Sequence, residues 1–420
     1  VQKLLTSFGV AAALLAGTAI ASAEENPIKL GHLSVHTGPY GHFGPHFDGA
    51  SDFAIGLINE NPPLGRPIQA FHQDWGTLGE GQVARRLVEQ EGVDILYNIS
   101  HNYESYRDWL LGFVAQNGRP AIPSVFAGSQ RVEWGGTPEE PMFRGSPMDT
   151  AQAAAVAQHA QSLGATRVVI IASEDSGMQM SQDSAIKAAK VLGMEVLADI
   201  DIQTEQTSYR SEVARANSLN PDAILVFSQA EEGGIIVKNA AEMGMSVLFL
   251  GEPNWLAEEF PRTATMGAIN RQKGVYIVGY THSDSPAWDY FKEKWEASDY
   301  ARLSPAGDSY TMQMYDMLNM TALAIEAAGT TDAREWANHV REVSMAPGKK
   351  VYSYAEGIAA LKAGEDIDYE GVTGSYDYTD TGVVSGQFAA FSWNSPSEWE
   401  QTALIDGTAV LELDAAPMPE

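Results

Sequence analysis

The sequence predicts an α/β protein of two doubly wound lobes, each a parallel sheet with helices on both faces. Three observations predict it. From residue 28 to residue 279, strand-sized apolar runs alternate with stretches of helical period, the pattern of successive βαβ units. The alternation breaks once, near 143–150, where Gly145, Pro147 and Asp149 interrupt it. The chain has 420 residues, more than one ordinary core serves, so two domains are the default.

The first series begins with a buried strand at 28–35. A helix follows at 44–59, because Phe47, Ala50, Phe53, Ala54, Leu57 and Ile58 recur at helical spacing. A strand at 67–73 leads to a helix at 80–91, with Val83, Leu87 and Val88 on one face. The strand at 94–99, the helix at 104–117 and the strand at 121–125 complete the first lobe's sheet. The second series places helices at 150–163, 181–192, 209–218 and 232–243, and strands at 167–172, 195–202, 223–227 and 247–250. Gly164, Gly193 and Gly244 follow three of these helices and suit the left-handed conformation that ends a helix. A strand at 275–279 is followed by helices at 288–298, 309–328 and 332–343. Beyond them, 371–393 alternates apolar and polar residues around Asp380-Thr381-Gly382, the signature of antiparallel strands joined by a turn.

The first 23 residues read as an export signal. One positive charge in 1–3, an Ala-rich apolar stretch at 4–20 and the small-x-small site Ala21-Ser22-Ala23 stand in that order before Glu24-Glu25. The apolar stretch is too short and lacks basic residues on its far side for a membrane span. The expected product begins at Glu24 and is a free soluble protein outside the cytoplasm. The chain has no cysteine, which excludes thiolate catalysis, Cys-ligated zinc and iron–sulfur clusters. With 55 acidic against 26 basic residues the formal charge is −29, which argues against nucleic acid and anionic lipid as partners.

In order and spacing these segments resemble the leucine/isoleucine/valine-binding proteins, which have the type I periplasmic binding fold and serve ABC importers. Ile28-Lys29-Leu30-Gly31-His32-Leu33 and Thr37-Gly38-Pro39-Tyr40-Gly41-His42-Phe43-Gly44 resemble the family's first strand and ligand loop. Phe47-Asp48-Gly49-Ala50 and Ile58-Asn59 fit the next helix. Pro221-Asp222-Ala223-Ile224 resembles the second lobe, and Gly374-Ser375-Tyr376-Asp377-Tyr378 with Gly382 the C-terminal strand pair. The resemblance implies three crossovers between the lobes, a small solute captured in the cleft, delivery to membrane permease subunits, no cofactor and no enzymatic step. The division expected is a signal peptide at 1–23, an N-terminal lobe of 24–146 plus 280–370, a C-terminal lobe of 147–279 plus 371–413, and a tail at 414–420.

Candidate ligand residues come from the loops after the strands, since open parallel sheets bind ligands beyond the C-terminal ends of their strands. Ser100 and Asn102 precede a helix and suit a carboxylate, and Ser124 adds a donor. Asp175 and Glu252 offer carboxylates to an ammonium group, while Phe43, Trp75 and Trp255 can cover an apolar or cationic part. Tyr40 lies in the first loop. The resemblance carries Phe43 to the aromatic of that loop and Ser100, His101 and Asn102 to the carboxylate-binding segment. It carries Phe126 and Ala127 to the next loop, and Ser176 and Gln229 to two positions where the family has Tyr. It carries Glu252, or Asn254 with a short gap, to the ammonium-binding acid. An amino acid or a related nitrogen compound is the solute expected; the alternatives are an amide or an aromatic acid as the solute, or a ligand sensor for a membrane receptor on the same fold.

Three rival readings are weaker. His32, His36, His42 and His46 form two i, i+4 pairs, but the first pair is on extended chain and the second flanks Gly44-Pro45, so no metal site is expected of them. Hydrogen bonding in the loop, with His36 or His42 facing the cleft, is preferred. Gly79-Glu80-Gly81-Gln82-Val83-Ala84 mimics a dinucleotide fingerprint but starts several residues past its strand. The acid pairs Asp199/Asp201 and Glu231/Glu232 have no spacing that selects glycosidase chemistry over solvated surface.

Overall fold

Strand β1, Ile28–Ser34, has the near-continuous burial of a strand covered on both faces. In the computed structural model, which describes residues 26–38, 40–98, 102–124 and 134–419, it pairs in parallel with β2, Ile68–Asp74, and with β3, Ile95–Tyr97. A bridge from Ile95 to Ala121 extends this sheet toward β4, Ile122–Ser124, which pairs in parallel with β5, Met142–Arg144. Gly31 lets a helix approach β1 closely, since a Cβ there would lie 3.1 Å from Val93 Cγ1 and 3.2 Å from Leu87 Cδ1. The helices Gly44–Ile58, Glu80–Arg86 and Arg107–Asn117 alternate with the strands. The expected signal peptide lies outside the described residues. Among the described residues no helix is long and apolar enough to cross a membrane.

The second lobe is one seven-stranded sheet. Strands β6 (Arg167–Ser173), β7 (Glu195–Ile202), β8 (Ala223–Phe227), β9 (Leu248–Gly251) and β10 (Gly274–Thr281) run parallel in the order β10-β9-β8-β6-β7. Separate apolar cores on its two faces make it doubly wound. Val168, Ile170, Leu225 and Phe227 point to one, and Val169, Ile171, Ile224 and Val226 to the other, as the period of two along a strand requires.

The chain then returns to the first lobe. The helix Ser309–Ala328 is buried along nearly its whole length and packs on Gly44–Ile58. Within it Asp316 accepts hydrogen bonds at 2.9 Å from Tyr369 Oη, Val372 N, Thr373 N and Thr373 Oγ1. That carboxylate ties the helix to a small sheet of β11 (Lys349–Val351), β12 (Ile367–Gly371) and β13 (Gly374–Ser375).

The segment from 371 onward departs from the sequence reading. Val372, Tyr376, Tyr378 and Val384 pack in the first lobe's core, so the return to the second lobe falls near 385–387, not at 371. Around Asp380-Thr381-Gly382 the described residues form two isolated bridges, Tyr378 with Val384 and Val383 with Arg144, and no strand pair. The hairpin is instead β14 (Gln387–Ser395) with β15 (Glu398–Ile405), and β14 joins β10 antiparallel. Alternation identifies a strand but not the sheet that it joins. The expected tail also starts too early. The helix Gly407–Ala415 packs on Asp149–Ser162, and Asp414 accepts from Thr150 Oγ1 at 2.8 Å. Short strands such as β5 and β11 are three residues each, too brief to show a period.

Candidate functional site

A cavity of about 280 Å³ lies between the lobes at the C-terminal ends of the strands. Its aromatic wall comes from the first lobe. Phe43 stacks on Phe47, with ring centroids 5.1 Å apart, and Tyr310 meets both edge-on at 5.8 and 5.6 Å. Tyr40 and Trp75 add rings 6.5 Å apart. Phe43 is delivered by the short helix Gly41–Phe43, which runs into the Pro-started helix Gly44–Ile58. Tyr310 sits in the first turn of Ser309–Ala328.

The polar wall comes from the crossover after β5 and from the second lobe. Asp175 caps the helix Ser176–Val191, accepting from Met178 N at 3.0 Å. Glu252 follows β9 and is 7% exposed. Its Oε1 accepts from Asn254 Nδ2 at 3.0 Å, and Asn254 Oδ1 accepts from Tyr310 Oη at 3.4 Å. This chain of bonds joins the two lobes across the cavity. Burial, with Asp149 and Asp175 adding to it, pushes the Glu252 carboxyl well above the usual range. Arg144 is buried; its guanidinium donates to Asp149 Oδ1 at 2.5 Å and to the carbonyls of Ser146 and Pro147 at 3.2 and 3.0 Å.

Among the described residues, three carboxyl groups, Asp149, Asp175 and Glu252, thus line the cavity with one guanidinium, which is already paired with Asp149. Two buried amide oxygens that line the cavity, Asn98 Oδ1 just past β3 and Gln152 Oε1, have no hydrogen-bond partner among the described residues. An aromatic cavity rich in acceptors and carboxyl groups suits a ligand that brings N–H donors or positive charge.

Of the residues expected from sequence, the cavity brings together Tyr40, Phe43, Trp75, Asn102, Asp175, Gln229, Glu252 and Asn254. Ser100, His101, Phe126 and Ala127 lie outside the described residues, as does the side chain of Ser176. Ser124 is corrected: it is fully buried at the end of β4 and does not line the cavity. Trp255 is corrected too. The turn Pro253–Leu256 sends it inward, where it stacks on Phe260 at 4.5 Å and donates to Ser228 Oγ at 3.4 Å. Gly233 and Gly251 make room for its indole, since a Cβ on either would lie 2.2 or 2.3 Å from the ring. His36 and His42 do not line the cavity; His36 bonds Asp48 Oδ2 at 2.8 Å and His42 stacks on Phe43. Glu232 is absorbed in the capping box of the helix Ala230–Glu242 with Gln229, while Asp199 and Asp201 are exposed on an edge strand.

Sequence reasoning missed Asn98, Arg144, Asp149, Gln152, Tyr280 and Tyr310. Arg144 and Asp149 lie in the segment read only as a boundary, yet a chain crossing between lobes must pass the cleft. Tyr310 had a usable signal, an aromatic in the first turn of a long helix.

The model of the periplasmic binding protein family matches residues 27–397. A search of curated protein sequences returns no significant match. Among solved structures the chain is similar to the leucine binding protein LivK of Thermotoga maritima, at 18% identity and a TM-score of 0.71, covering 91% of this chain and 99% of that one. It is similar to the branched-chain amino acid binding protein LivJ of Streptococcus pneumoniae, in complex with isoleucine, at 18% identity and 0.68, covering 90% and 99%. An ABC transporter solute binding protein of R. palustris, in complex with benzoate, aligns at 17% identity and 0.68, covering 90% and 96%. These likenesses carry the fold: two lobes, three crossovers and a cleft between them. With nearly the whole described chain matched, the protein belongs to the periplasmic binding protein family and has its type I fold.

Proposed function

We propose that this chain is the periplasmic solute-binding component of an ABC importer, exported by a cleaved signal at 1–23 and acting as a monomer. It captures a small solute with a cationic nitrogen, an amino acid or a related compound, and hands it to membrane permease subunits. One observation carries the ligand class: Asp149, Asp175 and Glu252 converge on an aromatic cavity where the one guanidinium among the described residues is already engaged by Asp149. Phe43, Phe47, Trp75 and Tyr310 come from one lobe and Asp175 and Glu252 from the other, so a ligand completes both sets of contacts only when the lobes close. That difference in contacts is what drives a hinge equilibrium toward the closed form. The acidic surface of the closed form docks on the permease.

A second reading, an aromatic carboxylate, has Arg144 and the ring-lined wall in its favour, and one structural neighbour is in complex with benzoate. It places a carboxylate among three carboxyl groups, and Arg144 would have to leave Asp149 to receive it. The test is a thermal-shift screen after unfolding and refolding to strip carried solute, with amino acids, quaternary amines, amides and aromatic acids. A ligand at about 100 times its Kd adds roughly 2.7 kcal/mol of stability. A shift with cationic or zwitterionic amines supports the proposal; a shift confined to aromatic acids or amides overturns the ligand class.

A further inference from the structure

On the first lobe, away from the cavity, three ligating atoms converge. His32 and His72 are register partners on β1 and β2, and Asp48 faces them from the helix Gly44–Ile58. His32 Nδ1 lies 2.9 Å from His72 Nδ1 and 3.2 Å from Asp48 Oδ1, and His72 Nδ1 lies 3.3 Å from that same oxygen. We propose that His32, His72 and Asp48 bind one divalent transition-metal ion of the zinc class. Ligands bound at about 2.0–2.1 Å in tetrahedral geometry are roughly 3.3 Å apart, so the triangle already has the edges that such an ion requires.

The surroundings are those of an oriented metal site. His72 bonds Asp52 Oδ1 through its other nitrogen, Nε2, at 2.9 Å, the carboxylate–histidine arrangement that fixes a ligating ring. Asp52 is one helical turn from Asp48, so one helix face supplies both the ligand and the group behind the other ligand. Asp48 is held at both oxygens, by Ser34 Oγ at 2.6 Å and by His36 Nε2 at 2.8 Å. His32 is 0% exposed and its Nε2 is buried with no partner among the described residues, so its polar engagement is all through Nδ1 at the cluster. The side chains of Asp48 and His72 are 18% and 26% exposed, leaving a solvent side for a water as fourth ligand. Two imidazoles and a carboxylate without a thiolate suit Zn²⁺ or its borderline neighbours better than Mg²⁺ or Ca²⁺.

The i, i+4 histidine spacing along the chain does not make this site; the cross-strand register does. Its place gives it a role. An ion here pins β1, β2 and the helix Gly44–Ile58 together at the base of the loop that carries Tyr40 and Phe43 to the cavity. The site is distinct from the solute cavity, so the proposal stands or falls independently of the ligand.

The purified protein is stripped with a strong chelator and titrated with Zn²⁺ by calorimetry and with Co²⁺ by visible spectroscopy. The proposal predicts one ion per chain, a raised melting temperature, and the d–d bands of four- or five-coordinate Co²⁺. His72→Ala, on an edge strand, should weaken Zn²⁺ binding by about 100-fold or more, while His339→Ala should not change it. Absence of stoichiometric binding, or unweakened binding by His72→Ala, overturns the proposal. If His72→Ala does not fold, X-ray absorption of the wild-type zinc complex decides: two imidazoles with oxygen ligands support the site, and any other shell overturns it.

Discussion

Glu252→Gln is the perturbation that most sharply probes the cavity. It removes a charge and keeps the shape and the oxygen that accepts from Asn254 Nδ2 at 3.0 Å. An ammonium about 4 Å from a carboxylate gains roughly 4 kcal/mol at an effective dielectric of about 20. Part of that gain is offset, because burial, then Asp149 and Asp175, hold the Glu252 carboxyl above its ordinary range and resist its ionisation. Each unit of that rise costs about 1.4 kcal/mol to undo. A net loss of about 2–3 kcal/mol follows, or roughly 30- to 150-fold in Kd. The unliganded variant should be as stable as the parent or more so, because the carboxyl that it loses is unfavourably placed. Calorimetry on both proteins, with a cationic amine that shifts the parent, reads the first effect, and thermal melts read the second. A change in Kd under about threefold refutes the ion-pair reasoning. The pH dependence has a fixed sign. Below its raised pKa the empty site holds a proton on Glu252, and a bound cation expels it. Affinity is therefore full at higher pH and falls as the pH drops through that raised value, with proton release visible as a buffer-dependent enthalpy. Proton uptake on binding would contradict this.

Three further outcomes are expected. Phe43→Ala, which removes a ring stacked on Phe47 and met edge-on by Tyr310, should weaken binding by about 1–2 kcal/mol in calorimetry while the circular dichroism stays native. Trp255→Ala should lower stability by about 3–5 kcal/mol in denaturant melts, and Trp255→Phe should keep solute affinity; a selective loss of affinity would return Trp255 to the cavity. Asp316→Ala leaves four buried donors unpaired and should cost about 3–5 kcal/mol in the same melts; a cost under about 1 kcal/mol would show that these bonds are replaced by water.

The parallel sheets were legible because buried strands and amphipathic helices carry different periods over enough residues to be counted. Ile28–Ser34 and Ala223–Phe227 are such strands, and Ser309–Ala328 such a helix. The segment 371–384 was misassigned because Val372, Tyr376 and Tyr378 say that they are buried without saying in which lobe. Loop residues at strand ends, among them Phe43, Trp75, Asp175 and Glu252, were found because topology alone places them at the cleft. Trp255 went wrong because a single turn, Pro253–Leu256, decides whether its ring faces the cavity or the core. Arg144 and Asp149 were passed over because a crossover has no period. The His32–His72 pair was hidden because its two members are 40 residues apart in sequence and meet only through strand register.

The central claim is that the cavity selects positive charge. It is tested most directly by calorimetry of the stripped protein with a trimethylammonium carboxylate and its tert-butyl isostere, which match in shape, share the carboxylate and differ in the positive charge. The trimethylammonium member is expected to bind roughly 30-fold or more tightly, about 2 kcal/mol. Equal binding of the two, or tighter binding of the tert-butyl acid or of benzoate, would contradict it.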